Sequence, residues 1–175
     1  MNLEQVRLIL EEAARLTNHR QFVVVGSLSA LGALLEPPPR MVQSIDVDFF
    51  LKLDPERVQE INARLGENSG FARTHGYYAD AVSPKLVSAP AGWEDRLVQV
   101  PFASGIVGWF LDPNDAAVAK LMRGQANDLE WVRAGLRAGV LSAALIKTRI
   151  PTAVNCLPQE PVAALARLKA VAPQP

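Results

Sequence analysis

Residues 44–53, SIDVDFFLKL, constrain the fold most strongly, because they place two carboxylates within a short apolar run. Aspartate is uncommon in strands and costly to bury without a partner. In an extended segment, Asp46 and Asp48 project from one face of the strand. The intervening apolar residues, including Val47, project from the other face. This pattern predicts a strand with one apolar face and one acidic face.

The remaining pattern predicts an α/β (α+β) fold in which helices flank a mixed sheet. Strand-like runs are short, apolar or β-branched, and bounded by turn residues. They are residues 21–25, 44–53, 96–102 and 106–111. Helix-like segments show apolar residues at helical spacing or capping signals. They are residues 2–17, 27–35, 55–65, 112–122, 127–138, 143–149 and 161–171. Residues 67–92 are rich in turn formers and predict short strands joined by loops.

Local signals mark where several helices begin. Asn2 followed by Gln5 predicts a capping box. The pair Asp54-Pro55 and the later pair Asp112-Pro113 each combine a capping side chain with a proline suited to the first helical position. We therefore expect an α/β core in residues 1–111 and a helical part in residues 112–175 that packs on it as one compact unit.

Composition and charge argue against several classes of protein. Eighteen basic and eighteen acidic residues balance, and no block of like charge occurs, which argues against a protein that coats nucleic acid. The single cysteine, Cys156, excludes an intrachain disulfide and a cysteine-based zinc cluster. Acidic residues near the start do not suit a signal peptide, and no apolar run approaches membrane-spanning length. The default expectation is a cytoplasmic protein without a membrane partner.

Two motifs together indicate a phosphate and metal site. Gly26-Ser27 follows a buried strand and opens a short helix, where glycine allows close approach and free amides bind anions. Asp46 and Asp48 repel each other unless a cation neutralises them. Oxygen ligands of this kind suit Mg²⁺, or Mn²⁺, together with substrate phosphates. We predict that Asp46 and Asp48 hold the metal and that Gly26 and Ser27 hold phosphate. Each motif alone is also common in ordinary strands and turns.

The run VVVGSLSALG…SIDVDFFLK resembles the polymerase-β-like nucleotidyltransferase superfamily, whose members carry an apolar strand, Gly-Gly or Gly-Ser, and paired acids on the next strand. The joint pattern of GSLSALG, SIDVDFF, THGYYADAV and LDPNDAAVAKL more closely resembles an uncharacterised bacterial nucleotidyltransferase-like family. That family is related to the AbiEii-type toxins of toxin–antitoxin and phage-defence systems. The resemblance covers about residues 20–145.

The resemblance implies a metal-dependent transfer of a nucleotidyl group from an NTP to an RNA, such as a tRNA end, or to a protein. It also implies a possible antitoxin or operon partner. In AbiEii-like proteins, a lysine on the first C-terminal helix and later basic and acidic positions complete the site. Here Lys120, Arg123 and Asp128 stand at those positions. Lys120 is thus a candidate catalytic residue, and both Lys120 and Arg123 are candidates for binding the nucleotide. A solvated helix lysine is an equal alternative.

Two departures from the superfamily pattern bear on activity. Eighteen residues separate Ser27 from Asp46, so a Pro-rich loop must fit at the edge of the site. A third acid on a later strand is expected, and none is obvious, because neither Asp80 nor Asp95 lies inside a clear apolar strand. If this acid is absent, the chain is instead a degenerate nucleotidyltransferase fold that serves as a binding or regulatory module. A DNA-associated regulator is disfavoured by the zero net charge.

Overall fold

Five strands form one mixed sheet in the computed structural model, which describes residues 1–173. The strands are β1 (Gln21–Val24), β2 (Asp46–Leu51), β3 (Tyr78–Ala81), β4 (Val98–Pro101) and β5 (Val107–Phe110). Their order across the sheet is β3-β2-β1-β5-β4. The pairs β2–β3 and β1–β5 are parallel, whereas β1–β2 and β4–β5 are antiparallel. The predicted α/β (α+β) class with a mixed sheet is confirmed.

Helices cover both faces of this sheet. They are α1 (Leu3–Thr17), α2 (Ala30–Ala33), α3 (Val58–Leu65), α4 (Gly70–His75), α5 (Pro113–Arg123), α6 (Ala126–Arg137), α7 (Ala143–Arg149) and α8 (Glu160–Val171). The predicted capping box of α1 is present, since the Asn2 and Gln5 side chains each accept from the other residue's backbone N–H. Asp112 caps α5 by accepting from the backbone N–H groups of Asn114 and Asp115.

Three local predictions differ from the structure. Residues 27–35 form a 3₁₀ turn, Ser27–Ser29, followed by the single turn of α2, and the prolines at 37–39 prevent a longer helix. Helix α3 begins at Val58 instead of Pro55. Asp54 does not cap this helix, and its Oδ2 atom lies 3.7 Å from His19 Nε2. Residues 67–92 contain one strand, β3, and the helix α4 in place of several short strands.

Two apolar cores lie on opposite faces of the sheet. One core joins α1 and α3 to side chains such as Phe22, Val47 and Phe49. The other joins the C-terminal helices to the opposite face, through Val25 and Phe50 among others. Because side chains alternate along a strand, Asp46 and Asp48 share the face of Phe50. The acidic face of β2 is therefore turned toward the C-terminal helices.

The helix α8 holds the end of α5 in place. Arg167 donates to the backbone carbonyls of Leu121 and Met122 at distances of 2.6 and 2.7 Å. These carbonyls belong to the last turn of a helix, where backbone acceptors lack intrahelical partners. The division into residues 1–111 and 112–175 stays a prediction, and residues 174 and 175 lie outside the described part. Across residues 1–173, no helix combines the length and apolar character that crossing a membrane requires.

Candidate functional site

Three carboxylates meet on the sheet face that the C-terminal helices cover. Asp46 and Asp48 belong to β2, and Asp80 lies on β3 directly opposite Asp48 in the parallel register. One oxygen from each side chain lies within 4.8 Å of the others. All three side chains are partly buried. The parallel pairing of two short strands thus brings three acids to one point.

A third carboxylate, which the sequence pattern left unassigned, is therefore present beside the pair. Asp80 lies in a strand, Tyr78–Ala81, although the segment is too short and too polar to be recognised as an apolar run. Ala79 and Ala81 are buried in the core on the other face. This alternation of polar and small apolar residues is the signal that could have identified Asp80. The observation that motivated a degenerate module is thereby removed.

The turn after β1 lies against the paired acids. Val25 extends the β1–β2 pairing, since its backbone N–H donates to the Asp48 carbonyl at 2.9 Å. Gly26 follows with a φ of 65°, a left-handed conformation that favours glycine. A Cβ atom at this position would lie 1.9 Å from the Asp48 Oδ2 atom. Glycine is therefore required here both by the backbone conformation and by the closeness of the carboxylate.

Two basic side chains of α5 reach the site and share one acidic partner. Lys120 is 4% exposed, and its Nζ donates to Ser27 Oγ at 2.9 Å and to Asp128 Oδ1 at 3.1 Å. Arg123 binds both carboxylate oxygens of Asp128 at 2.7 Å. Burial lowers the pKa of Lys120 and is opposed by the charge of Asp128. Burial also disfavours ionised Asp128, but the bonds from Arg123 and Lys120 outweigh it and lower its pKa.

Trp131 links the turn at Ser27 to the Pro-rich loop. Its buried indole Nε1 donates to the backbone carbonyls of Met41 at 2.9 Å and Ser27 at 3.3 Å. The loop lies at the edge of the site, as its length required, and Ser44 Oγ donates to Asp46 Oδ1. The sequence alone does not identify this link between Trp131 and Ser27, because it depends on tertiary packing.

Unfavourable charge accumulates at the carboxylates. Burial, together with the neighbouring charges of Asp46 and Asp80, raises the pKa of Asp48 to about 7. Burial and the charge of Asp46 also raise the pKa of Asp80. Lys120 and Arg123 relieve this only in part, because both are bonded to Asp128. A cation bound between the carboxylates would remove the repulsion.

The donor set fits a hard divalent cation. All three groups offer carboxylate oxygens, which Mg²⁺ and Mn²⁺ accept, and no sulfur or nitrogen ligand is needed. The mutual distance of at most 4.8 Å between these oxygens allows shared coordination. Asp46 and Asp48, the predicted ligands, would thus be joined by Asp80. A divalent cation held there would neutralise phosphate charge and would favour ionisation of an attacking oxygen.

Two clefts meet at the carboxylates, and Lys120 and Arg123 line both. The first, which we call the polar cleft, has a volume of about 430 Å³. Besides the carboxylates, it is lined by Ser27, Arg40, Gln43, Gln125, Asn127 and Trp131. The second, the apolar cleft, has a volume of about 410 Å³. Its apolar lining includes Val82, Leu86, Val87, Leu111 and Met122.

All of the predicted site residues come together around this point. They are Gly26, Ser27, Asp46, Asp48, Lys120 and Arg123. The structure adds Asp80, Trp131 and the loop residues to the predicted set.

Comparison with known families agrees with this geometry. Residues 4–167 match the family described as nucleotidyltransferase of unknown function (DUF6036). The chain belongs to this nucleotidyltransferase family. The match confirms the expected nucleotidyltransferase-like membership, whereas the relation to AbiEii-type toxins stays an expectation. No curated protein and no solved structure matches this nucleotidyltransferase-family chain.

Proposed function

We propose that this protein is a metal-dependent nucleotidyltransferase that moves a nucleotidyl group from an NTP to a hydroxyl of an RNA or protein acceptor. The observation that carries the proposal is the convergence of Asp46, Asp48 and Asp80 beside the Gly26-Ser27 turn. Family membership supports the reaction class. The acceptor class and a toxin–antitoxin or defence setting, with an antitoxin or operon partner, rest on the sequence resemblance alone.

The polar cleft suits the nucleotide. Ser27 and Lys120 lie at one end of it, where a hydroxyl and an ammonium group can bind phosphate oxygens. Arg123 is 57% exposed, so its guanidinium can contact phosphate while it keeps its bonds to Asp128. Asp46 and Asp48 would hold Mg²⁺ or Mn²⁺ next to these phosphates. The protein thereby contributes mainly positioning and charge compensation.

Transfer requires the acceptor oxygen to lose its proton as it attacks the α-phosphorus. Asp80 is the carboxylate farthest along the sheet from the Gly26-Ser27 turn, because β3 is the edge strand next to β2. Its raised pKa, which follows from burial and from Asp46, suits a proton acceptor. A new P–O bond forms, the bond to pyrophosphate breaks, and the hydroxyl proton passes to Asp80.

Isothermal titration with Mg-ATP and the other Mg-NTPs tests the nucleotide site. We expect saturable binding to the wild-type protein, which Asp46→Asn and Asp48→Asn weaken by at least about tenfold, or 1.4 kcal/mol. The matched control is Asp54→Asn, since Asp54 lies near His19 and outside the site. Equal binding by the wild type and both site variants would contradict the proposal.

Transfer of radiolabel from an α-labelled NTP separates catalysis from binding alone. The wild-type protein is expected to label an acceptor, and Asp80→Asn is expected to lose far more of its transfer activity than of its Mg-NTP binding. The reason is that asparagine can keep a metal-facing oxygen but cannot accept the proton. Undiminished transfer by Asp80→Asn would remove Asp80 from the mechanism. Binding without transfer by the wild type to any acceptor would favour a binding module.

A further inference from the structure

Apart from Asp48, Asp80, Lys120 and Arg123, which line both clefts, the apolar cleft is lined mainly by aliphatic and methionine side chains. Two further polar side chains line it, and each already has one protein partner. Ser88 Oγ donates to the Asn155 carbonyl at 2.9 Å, and the Glu160 carboxylate accepts from the backbone N–H of Leu157 at 2.7 Å. Such a surface favours a largely apolar occupant over a polar one.

Charge around the apolar cleft disfavours a polyanion. Within the described residues, Lys120 and Arg123 are the basic side chains that line it, and both are bonded to Asp128. Glu160 and Asp80 add negative charge to the lining. RNA binding depends on cations that neutralise successive phosphates. This cleft supplies only these two cations, and the proposed function already assigns both of them to the phosphates of the nucleotide.

The polar cleft, in contrast, can accept the whole nucleotide. It is lined by the amide side chains of Gln43, Gln125 and Asn127. The Gln43 and Asn127 oxygens accept from Arg40, which leaves their NH₂ groups and the Gln125 amide to hydrogen-bond to the edge of a base. The phosphate-binding turn at Ser27 lines this cleft as well. The apolar cleft is thus left for the second substrate, with Asp48 and Asp80 on the boundary between the two clefts.

We propose that the apolar cleft binds the acceptor and that the acceptor is a small, uncharged, largely apolar alcohol or phenol rather than an RNA end. This inference rests on the proposed function and narrows its acceptor. The cleft volume of about 410 Å³ falls within the range of small-molecule sites. The hydroxyl oxygen forms the new bond to the α-phosphorus, its proton passes to Asp80, and pyrophosphate leaves.

Leu86 provides the test position, because it lines the apolar cleft and is 75% exposed, so its replacement does not disturb the core. Leu86→Arg introduces a cation at the cleft. The matched control is Leu53→Arg, since Leu53 is 72% exposed and lies outside both clefts. Binding of phenol, benzyl alcohol and an oligouridylate would be followed by ligand-observed NMR, and transfer by labelling from α-labelled ATP.

Phenol and benzyl alcohol are expected to bind the wild type saturably and to stay bound when Mg-ATP is added. Leu86→Arg should weaken their binding by about tenfold, because the guanidinium loses hydration beside apolar groups, whereas Leu53→Arg should not. Absence of phenol binding, or an equal effect of both variants, overturns the inference. Displacement of phenol by Mg-ATP would assign the cleft to the nucleobase instead and also overturn it.

The RNA arm separates this inference from the proposed function. One result would overturn the apolar acceptor proposed here but leave the transferase activity standing. It is labelling of the oligouridylate without labelling of the phenol, at a level that Leu86→Arg leaves unchanged or increases. Failure of Mg-ATP to bind in the same samples would overturn the proposed function. If Mg-ATP fails to bind but Leu86→Arg weakens phenol binding and Leu53→Arg does not, an apolar occupant of the apolar cleft would still be supported.

Discussion

Replacing Asp48 with asparagine is expected to stabilise the metal-free protein and to abolish its response to divalent cations. The ionised carboxylate is disfavoured in the metal-free site by burial and by the charges of Asp46 and Asp80, which raise its pKa from 3.8 to about 7. Asparagine has a similar shape and no charge. The variant therefore removes the repulsion, but it also removes a ligand that a cation would use.

The sign of the pH dependence follows from the raised pKa. A carboxyl whose pKa is higher in the folded state binds its proton more tightly there. Its stabilising contribution is present in full below the ordinary pKa of 3.8 and is lost as the pH rises through about 7. In the presence of a chelator, the free energy of unfolding of the wild type should therefore fall below that of Asp48→Asn as the pH rises from 3.8 to about 7. At higher pH, the difference between the two proteins should stay constant.

The magnitude can be worked from the same shift. One pKa unit corresponds to about 1.4 kcal/mol, so the full shift corresponds to about 4 kcal/mol. Partial exposure of Asp48 and dissolved salt reduce this to about 1–2 kcal/mol. For a chain of this length, that difference corresponds to a rise in Tm of about 3–6 °C.

Thermal unfolding followed by circular dichroism at about pH 4.5 and about pH 8, in chelator and in excess Mg²⁺, measures all of these effects. The wild type should gain Tm on addition of Mg²⁺ at the higher pH, and Asp48→Asn should gain little. Any of three results would refute the reasoning. The first is an equal Tm of Asp48→Asn and the wild type in chelator at the higher pH. The second is a gain in Tm over the wild type that is the same at both pH values, and the third is an equal rise in the Tm of both proteins on addition of Mg²⁺.

Three further substitutions test the surrounding site. Gly26→Ala should lose nucleotide binding and about 1–3 kcal/mol of stability, because its Cβ would stand 1.9 Å from a carboxylate oxygen. Gly139→Ala, with a φ of 70° and open space around its Cβ, is the control, and an equal loss of nucleotide binding in both would contradict the close approach. Lys120→Met should weaken Mg-ATP binding by about tenfold in calorimetry. Its effect on Tm should be smaller, because Arg123 continues to pair with Asp128. An unchanged affinity for Mg-ATP would exclude a contact between Lys120 and phosphate. Trp131→Phe should cost about 1–3 kcal/mol in chemical denaturation, since two backbone carbonyls lose a buried donor, and a loss below about 0.5 kcal/mol would show that water replaces it.

The strands and helices with strong local signals could be predicted from the sequence. Asp112 and Pro113 mark the start of α5 by local chemistry alone, since the cap and the proline act within one turn. The paired acids of β2 were predictable because alternation fixes which side chains share a face. Alternation was enough to identify Asp46 and Asp48 as candidates, whereas Lys120 became a candidate through the family resemblance.

The rest of the site depends on contacts between distant segments. Asp80 belongs to a four-residue strand whose identity comes from its pairing with β2. Trp131 contacts Ser27 across more than one hundred residues of sequence, and no local pattern reports such a contact. Helix α3 begins at Val58, although Asp54-Pro55 predicts an earlier start. Here a tertiary contact overrides a local preference, because Asp54 lies beside His19 and does not cap the helix.

The shared partner of Lys120 and Arg123 has a consequence for the order in which ligands arrive. With Asp128, the three carboxylates make four acidic groups in the polar cleft against three basic ones, Arg40, Lys120 and Arg123. A bare nucleoside triphosphate would thus approach a site of its own sign when all four acids are ionised. We expect entry only with an accompanying cation, so that rapid-mixing experiments should show nucleotide association rates that rise with Mg²⁺ and fall in chelator.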